Sequence, residues 1–445
     1  MEVLDSLLSV VRRCCEGFPD KRTGTNSQYT MADIGLAALS VFFTQSPSFL
    51  DHQRQLETGH GRSNCQTLFG ISRIPTDNHI RDMLDQVAPD HLFPAFAAAV
   101  AALERSGGIR AFQRLGSHLL IALDGTEYHR SAKVHCRHCS TRTRKGQPTE
   151  SFHTLLCATI VAPGRAQVVP LEPEFIRPQD GHDKQDCESR AVRRWLKRHG
   201  ARYKRLNPIY LGDDLPACQP VCEAVLEQGG HFLFTCKPAS HQTIQEYLTG
   251  IEPEEHVEQV KRGRERATVR YRWLCGVPLR GDEEALTVNW LMVEILNAKG
   301  EVTYRNSFIT DLPVTRATVA ELAACGRARW KIENESFNVL KNRGYHLEHN
   351  FGHGKEHLAA LLACFNLVAF AIHTVCDLAS GAWRHARETL GPRTRFFHNL
   401  QALSTYVVSP PGPSSWKPWP SRGLHRARPA EQRFNLPHPR PKNPK

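Results

Sequence analysis

Residues 327–354 read RARWKIENESFNVLKNRGYHLEHNFGHG. The stretch has the pattern of a helix that stops at Gly344. Arg329 and Glu333 stand four residues apart, so a helix sets them on one face. Arg327, Lys331 and Glu335 make a second, wholly charged row. Trp330, Phe337 and Leu340 give the helix apolar surface to bury. Taken alone, an Arg/Glu pair of this spacing is an ordinary solvated salt bridge worth about 0–1 kcal/mol. Its meaning depends on what the rest of the chain brings to it.

The chain has 445 residues, enough for a sizeable core and two or three domains. A hydrophobic share of 40% and a charged share of 23% are globular values, and the formal net charge of +12 suits a polyanionic partner such as nucleic acid. The 14 Cys are scattered. Met1–Val11 lacks the basic start of a secretory signal, so reduced thiols in the cytoplasm are the expectation. Leu358–Val375 approaches the ~18 apolar residues of a membrane span. It contains Asn366 and His373 and follows a charged helix, which favours a buried core helix and no membrane.

Along the chain, Thr30 and Asp33 have capping-box spacing ahead of a helix over 30–45, with Ile34, Ala37, Ala38, Val41 and Phe42 on one face. Cys65–Phe69, Gly70 and Thr76–Val87 read either as a helix-turn-helix or as an ordinary helical hairpin. In the first case Asn78, His79 and Arg81 face outward toward DNA. From Gly116 the pattern changes. His118–Leu123 is an apolar strand ending at Asp124, with a loop expected at Gly125–Tyr128. Phe152–Val161 and Gln167–Leu171 are further strands. Cys187–His199 is a helix with Ala191, Val192, Trp195 and Leu196 on its buried face and Gly200 as its stop. Pro208–Gly212 is a strand ending at Asp213 and Asp214, followed by a helix over Cys222–Gln228 and a strand over His231–Cys236. This order predicts a mixed α/β sheet. Between Ile251 and Leu312, strand alternation takes over, with Thr268, Arg270 and Arg272 on one side and Val269, Tyr271 and Trp273 on the other.

Three acidic residues stand out by position: Asp124 and Asp213 at strand ends, and Glu333 on the late helix. An unpaired carboxylate beside an apolar strand is costly and needs a reason. Helix capping is an alternative reason for Asp214. Three converging carboxylates would offer oxygen ligands to Mg²⁺, and two such ions can activate a water or 3′-OH and stabilise the leaving oxygen in phosphoryl transfer.

The combination LDGTEYH, YLGDD and RARWKIENESFNVLK resembles the DDE transposases of bacterial insertion sequences, in the group with a β-strand insertion before the glutamate and a Y-R-E-K signature around it. The similarity runs from about Gly116 to Val375, and its most specific element is Arg329–Glu333. The resemblance implies an α/β fold with an RNase H-like mixed sheet and a β-rich insertion, preceded by an all-α DNA-binding region. The corresponding boundaries are 1–110 for the helical region, 111–250 and 313–405 for the two parts of the catalytic core, 251–312 for the insertion and 406–445 for a basic, Pro-rich disordered tail. It further implies cleavage and joining of DNA at terminal inverted repeats, with Mg²⁺ or Mn²⁺, in a homodimer on the DNA. By position Asp124, Asp213 and Glu333 are the metal carboxylates, and Asp214 and Glu335 are their alternatives. Arg329 is the signature arginine that contacts DNA phosphate. Two positions depart from the signature. Gly326 stands where it has tyrosine, and Lys341 lies one residue beyond the lysine position, a swing of about 100° on a regular helix.

His135–Cys139 contains a Cys-x-x-Cys, Cys136 and Cys139, which is half of a structural zinc site. His153, Cys157, His182 and Cys187 lie farther on. The alternative is a basic DNA-contacting loop with Arg130, Lys133, Arg142, Arg144 and Lys145. His346, His349, His353 and His357 lack metalloprotease spacing and read as loop or DNA-facing residues without a metal. In the insertion, Arg270 and Arg272 offer either a DNA-tracking face or a solvated one. Two other functions stay open: a zinc-stabilised DNA-binding protein without cleavage activity, and a nuclease that cuts without joining.

Overall fold

The computed structural model describes residues 2–24, 27–57, 61–71, 73–178, 187–262 and 265–406. The tail over 406–445, read as disordered, begins at the last residue of a helix, Tyr406, and from 407 on lies outside the described residues, as does His182. The chain is mixed α/β. Its N-terminal part is helical: α1 (Glu2–Glu16), α2 (Met31–Phe43), α3 (Phe49–Glu57), α4 (Gly61–Phe69), α5 (Asp77–Leu84) and α6 (Phe93–Arg105). The Thr30 hydroxyl and the Asp33 carboxylate cap each other's backbone N–H groups at the start of α2, the expected capping box. This helix is buried at every position, so it is a central helix with no solvent face.

The strands follow as β1 (Gln113–Arg114), β2 (His118–Ser131), β3 (Ser140–Arg142), β4 (Glu150–Val161), β5 (Val169–Pro170) and β6 (Glu174–Ile176). Next come α7 (Glu188–Tyr203), β7 (Pro208–Gly212), α8 (Gln219–Glu227), β8 (His231–Thr235) and α9 (Gln242–Gly250). The strands β9 (Glu254–Arg262), β10 (Glu265–Pro278), β11 (Thr287–Leu296) and β12 (Val302–Thr310) form a meander. One sheet runs in the order β3-β4-β2-β7-β8-β12-β11-β10-β9. In it β2 is antiparallel to β4 and parallel to β7, β7 is parallel to β8, and β12 returns antiparallel to β8. The β-rich segment therefore extends the same sheet through β12. The contiguous apolar run of β7 is buried throughout, as a central strand requires.

The C-terminal part holds α10 (Val319–Arg327), a π-helical segment (Ile332–Phe337), α11 (Asn338–Asn342), α12 (Leu358–Ala379), α13 (Gly381–Leu390) and α14 (Arg393–Tyr406). By length and composition α12 could cross a membrane, but 94% of its apolar window is buried inside the fold, against α2, α6 and α1. Two of its buried polar atoms are paired internally. The Asn366 amide donates to the Tyr345 carbonyl at 2.7 Å, and His373 Nδ1 lies 2.7 Å from the Tyr345 hydroxyl.

Four expectations change. Asp124 does not end a strand, because β4 stays paired with β2 as far as Ser131–Ser151, with a register shift between Glu127 and His129. Gly200 does not stop α7. The helix passes it to Tyr203, and a Cβ there would lie 2.8 Å from Gln228 Cγ on the neighbouring turn. The stretch after Arg327 is not one regular helix. Tight i→i−3 bonds at Arg329, Lys331 and Ile332 precede the π segment, whose exit bond runs from Asn338 N–H to the Glu333 carbonyl. Trp330 is not buried. It is 49% exposed, while Phe337 and Leu340 are buried as expected.

Candidate active site

Asp124 lies in the middle of β2, paired across the sheet with Cys157 on β4. The π segment packs on both strands and carries Glu333 to the same place. Between them sits Arg329, only 7% exposed. Its guanidinium donates to Asp124 Oδ2 at 3.1 Å and to Glu333 Oε1 at 2.8 Å, and lies 5.0 Å over the Trp330 ring. The i,i+4 pair is thus a buried clamp between two carboxylates.

Two further carboxylates act on this centre. Burial, followed by the negative charges of Glu188, Glu333 and Asp213, pushes the Asp124 carboxyl up to about 7, against the opposing pull of Arg329. Burial and the charge of Asp213 likewise raise Glu188. Glu188, in the first turn of α7, was not among the sequence candidates. An acidic residue there is ordinarily a helix-dipole partner, so its spacing carries no signal. The one pointer is Gly125, directly after Asp124. A Cβ at that glycine would lie 1.6 Å from Glu188 Oε1, so the absence of a side chain makes room for the carboxylate.

The two aspartates after β7 separate. Asp213 acts on Asp124 and Glu188 and accepts a bond from Leu215 N–H at 2.9 Å. Asp214 turns the other way. It accepts from Lys237 N–H at 2.6 Å and lies 3.3 Å from His241 Nε2. It does not cap α8, whose N-cap is Cys218. Glu333, rather than Glu335, pairs with Arg329.

The departures from the signature have physical counterparts. A Cβ at Gly326 would lie 2.7 Å from the Phe308 ring, leaving no room for tyrosine. Each i→i−5 turn takes one residue more than an α-turn. The π segment between Glu333 and Lys341 therefore absorbs the extra residue. Lys341 pairs with Glu348 at 2.8 Å, and its charge acts on Cys157, the cross-strand partner of Asp124.

A second cluster joins distant parts of the chain. Cys136, Cys139, His153 and His353 bring four ligand atoms within 4.8 Å of one another, a group able to hold a metal ion. The Cys-x-x-Cys pair was expected; its partners differ from a sequence-local set. Cys157 is buried beside Asp124, and Cys187 is the N-cap of α7. His353, read from the sequence as a loop residue without a metal, belongs to the cluster. Its 214-residue separation from Cys139 left no spacing to detect. The described cysteines form no disulfide.

The DNA-facing candidates are placed as follows. In the pair α4 and α5, α4 packs chiefly on α3 and α5 chiefly on α2. Asn78 is exposed. His79 packs on the Tyr29 ring at 5.4 Å. Arg81 turns inward, donating to the Phe351 carbonyl at 2.8 Å and to Asp77 at 3.0 Å, which corrects its expected outward direction. Arg270 and Arg272 share a partly exposed face as expected, opposite buried Val269, Tyr271 and Trp273. Both face carboxylates: Arg272 lies 2.9 Å from Glu255, and Arg270 lies 3.6 Å from Glu294.

No protein-family model matches the chain, and comparison with curated proteins finds no match either.

Proposed function

We propose that this chain is a DNA transposase of the DDE type, with an RNase H-like core, that binds terminal inverted repeats and catalyses metal-dependent strand cleavage and strand transfer. The observation that carries the reading is the meeting of Asp124, Asp213 and Glu333 from three separate elements, with Arg329 clamped between the first and the last. The sheet supports it as well. A central first strand, antiparallel to the next long strand and parallel to the two after it, suits an RNase H-like core.

The residues fit divalent cations. Four carboxylates and one arginine leave excess negative charge in a partly buried place, and burial first and that charge second raise the Asp124 carboxyl. Asp124, Asp213 and Glu333 would hold Mg²⁺ or Mn²⁺, which supplies activation of a water or 3′-OH and stabilisation of the leaving oxygen. The chain's own contribution is to position these carboxylates on a strand, a strand end and a packed helix. In this reading Arg329, the cation touching Asp124, would supply the charge that meets a phosphate there. Asp124 must lose its proton to act as a ligand, and the cation would compete with that proton for the carboxylate. The net charge of +12 supports a DNA partner. A homodimer on DNA, in the bacterial cytoplasm at the nucleoid, completes the reading.

The test is incubation with Mg²⁺ or Mn²⁺ and DNA carrying the ends that flank the gene. Nicked and joined products support a transposase, and nicked products alone indicate a nuclease. The Cys/His cluster favours a second reading, a zinc-stabilised DNA-binding protein without cleavage, and binding without nicking is its signature.

A further inference from the structure

The Cys/His cluster carries more than its membership. Cys136 Sγ and Cys139 Sγ are 3.9 Å apart, and His153 Nε2 lies 3.5 and 3.4 Å from them. His353 Nε2 lies 3.5 Å from Cys139 Sγ and 3.2 Å from His153 Nε2. Around a tetrahedral Zn²⁺ with bonds of about 2.3 Å to sulfur and about 2.05 Å to nitrogen, the edges come to about 3.8 Å for S–S, about 3.6 Å for S–N and about 3.4 Å for N–N. These five of the tetrahedron's six edges match to within about 0.2 Å, and the sixth pair, Cys136 Sγ and His353 Nε2, lies within 4.8 Å. Thiol S–H groups could donate to the imidazole nitrogens in pairs, but such pairing does not require the ligand atoms to lie along the edges of one tetrahedron.

The surroundings are those of a built metal site. His353 Nδ1 lies 2.9 Å from the Gly354 carbonyl, which keeps the proton on Nδ1 and leaves Nε2 as a ligand atom. The Cys136 N–H donates to Cys139 Sγ at 3.3 Å, and the His138 N–H donates to Cys136 Sγ at 3.4 Å, which favours thiolates. Tyr128 stacks on the His153 ring at 5.5 Å. Two thiolates also neutralise Zn²⁺, so the filled site would put no net charge into a largely buried place.

We propose that Cys136, Cys139, His153 and His353 form a closed structural Zn²⁺ site that clasps residues 353–357 to the β2–β4 hairpin. The two cysteine protons pass to solvent as the two S–Zn bonds form, with no change of oxidation state. The polypeptide on either side is otherwise short of apolar contact. Lys133, Val134, His135 and Arg137 are exposed. Polar pairs extend the clasp: Arg137 with Glu356, and the His138 ring stacked 5.8 Å from His357. Behind it, Asp85 on the helical side receives the N–H groups of Lys355, Glu356 and Leu358 at 2.9–3.1 Å. The metal thus ties together the loop that follows the strand carrying Asp124, the strand β4 and the segment following the helix that carries Glu333. The assignment is independent of the DNA chemistry proposed above.

The test is metal analysis of the full, untagged chain after gel filtration, with Co²⁺ exchange as a geometric probe. The expected result is about one zinc per chain, and a Co²⁺ form with the intense visible bands of a four-coordinate site and thiolate charge transfer. His353→Ala should lower zinc retention during dialysis about tenfold or more. Because losing a ligand also threatens the fold, Cys136→His serves beside it. That variant keeps four ligands, should retain zinc and should halve the thiolate charge-transfer band. Folded, zinc-free wild type from zinc-replete cells overturns the proposal. So does zinc that a folded His353→Ala variant retains undiminished, or a cobalt spectrum in Cys136→His identical to wild type.

Discussion

Gly125 and Glu188 occupy one another's space: a Cβ on the glycine would lie 1.6 Å from the glutamate's Oε1. The Glu188 carboxylate stands there beside Asp124, which it repels. Gly125→Ala must therefore push the Glu188 carboxylate out of the group without replacing any of Asp124, Asp213 and Glu333. The expected outcome is a tenfold or greater loss of metal-dependent nicking with an unchanged circular dichroism spectrum. Glu188→Gln tests the electrostatic half of the argument. Removing a repelling charge lowers the Asp124 carboxyl, so the rise of nicking with pH moves to lower pH.

The Asp124 carboxyl also makes a stability prediction whose sign is opposite to that of a salt-bridged aspartate. Its folded value of about 7 lies above the ordinary 3.8, so between those values the folded chain keeps a proton that the unfolded chain gives up. Stability of the metal-free protein then falls as pH rises from about 4 to about 7. Asp124→Asn stays neutral throughout. It should raise the melting temperature by a few degrees at pH 8, leave it near wild type at pH 4, and abolish nicking. Thermal denaturation in EDTA at the two pH values checks this. For a protein holding zinc, both samples are compared after the same treatment.

A tyrosine at Gly326 should harm the protein. At Gly326 a Cβ already meets the Phe308 ring at 2.7 Å. Gly326→Tyr is expected to cost about 1–3 kcal/mol or more of stability through overpacking, measured by urea unfolding.

The π segment predicts an asymmetry between deletion and insertion. If it absorbs one extra residue, deleting the exposed Asn334 returns a regular helix and leaves Lys341 facing Cys157. That variant should fold with a melting temperature within a few degrees of wild type. Inserting one alanine after Ser336 instead turns the following residues by about 100°, taking Leu340 out of the core. It should unfold at markedly lower temperature.

What the sequence made legible was local. Pro208–Gly212 is an unbroken apolar run between Asn207 and Asp213, and Thr30 with Asp33 is a contiguous cap. Both are found where they were expected. Asp124 shows the limit. Its strand continues because β4 lies alongside it, and pairing with a partner some thirty residues away leaves no mark at Gly125–Tyr128. Arg329 and Glu333 were visible as a pair through their spacing. The π turn beneath them was visible only as a misplaced Lys341. Glu188 and His353 were hidden for another reason. Each gains its meaning from residues far away in the chain, and each has an ordinary local explanation, as a helix-start acid or a loop histidine.

The central claim is that Asp124, Asp213 and Glu333 act together in cutting DNA. The most direct measurement is nicking of DNA bearing the flanking ends, in Mg²⁺ or Mn²⁺, by wild type and by Asp124→Ala, Asp213→Ala, Glu333→Ala and Asp214→Ala. Wild type and Asp214→Ala should nick, and the other three should fall by a thousandfold or more while still binding the DNA. Nicking that survives all three changes, or a folded wild type that binds the ends and never cuts them, would contradict the account.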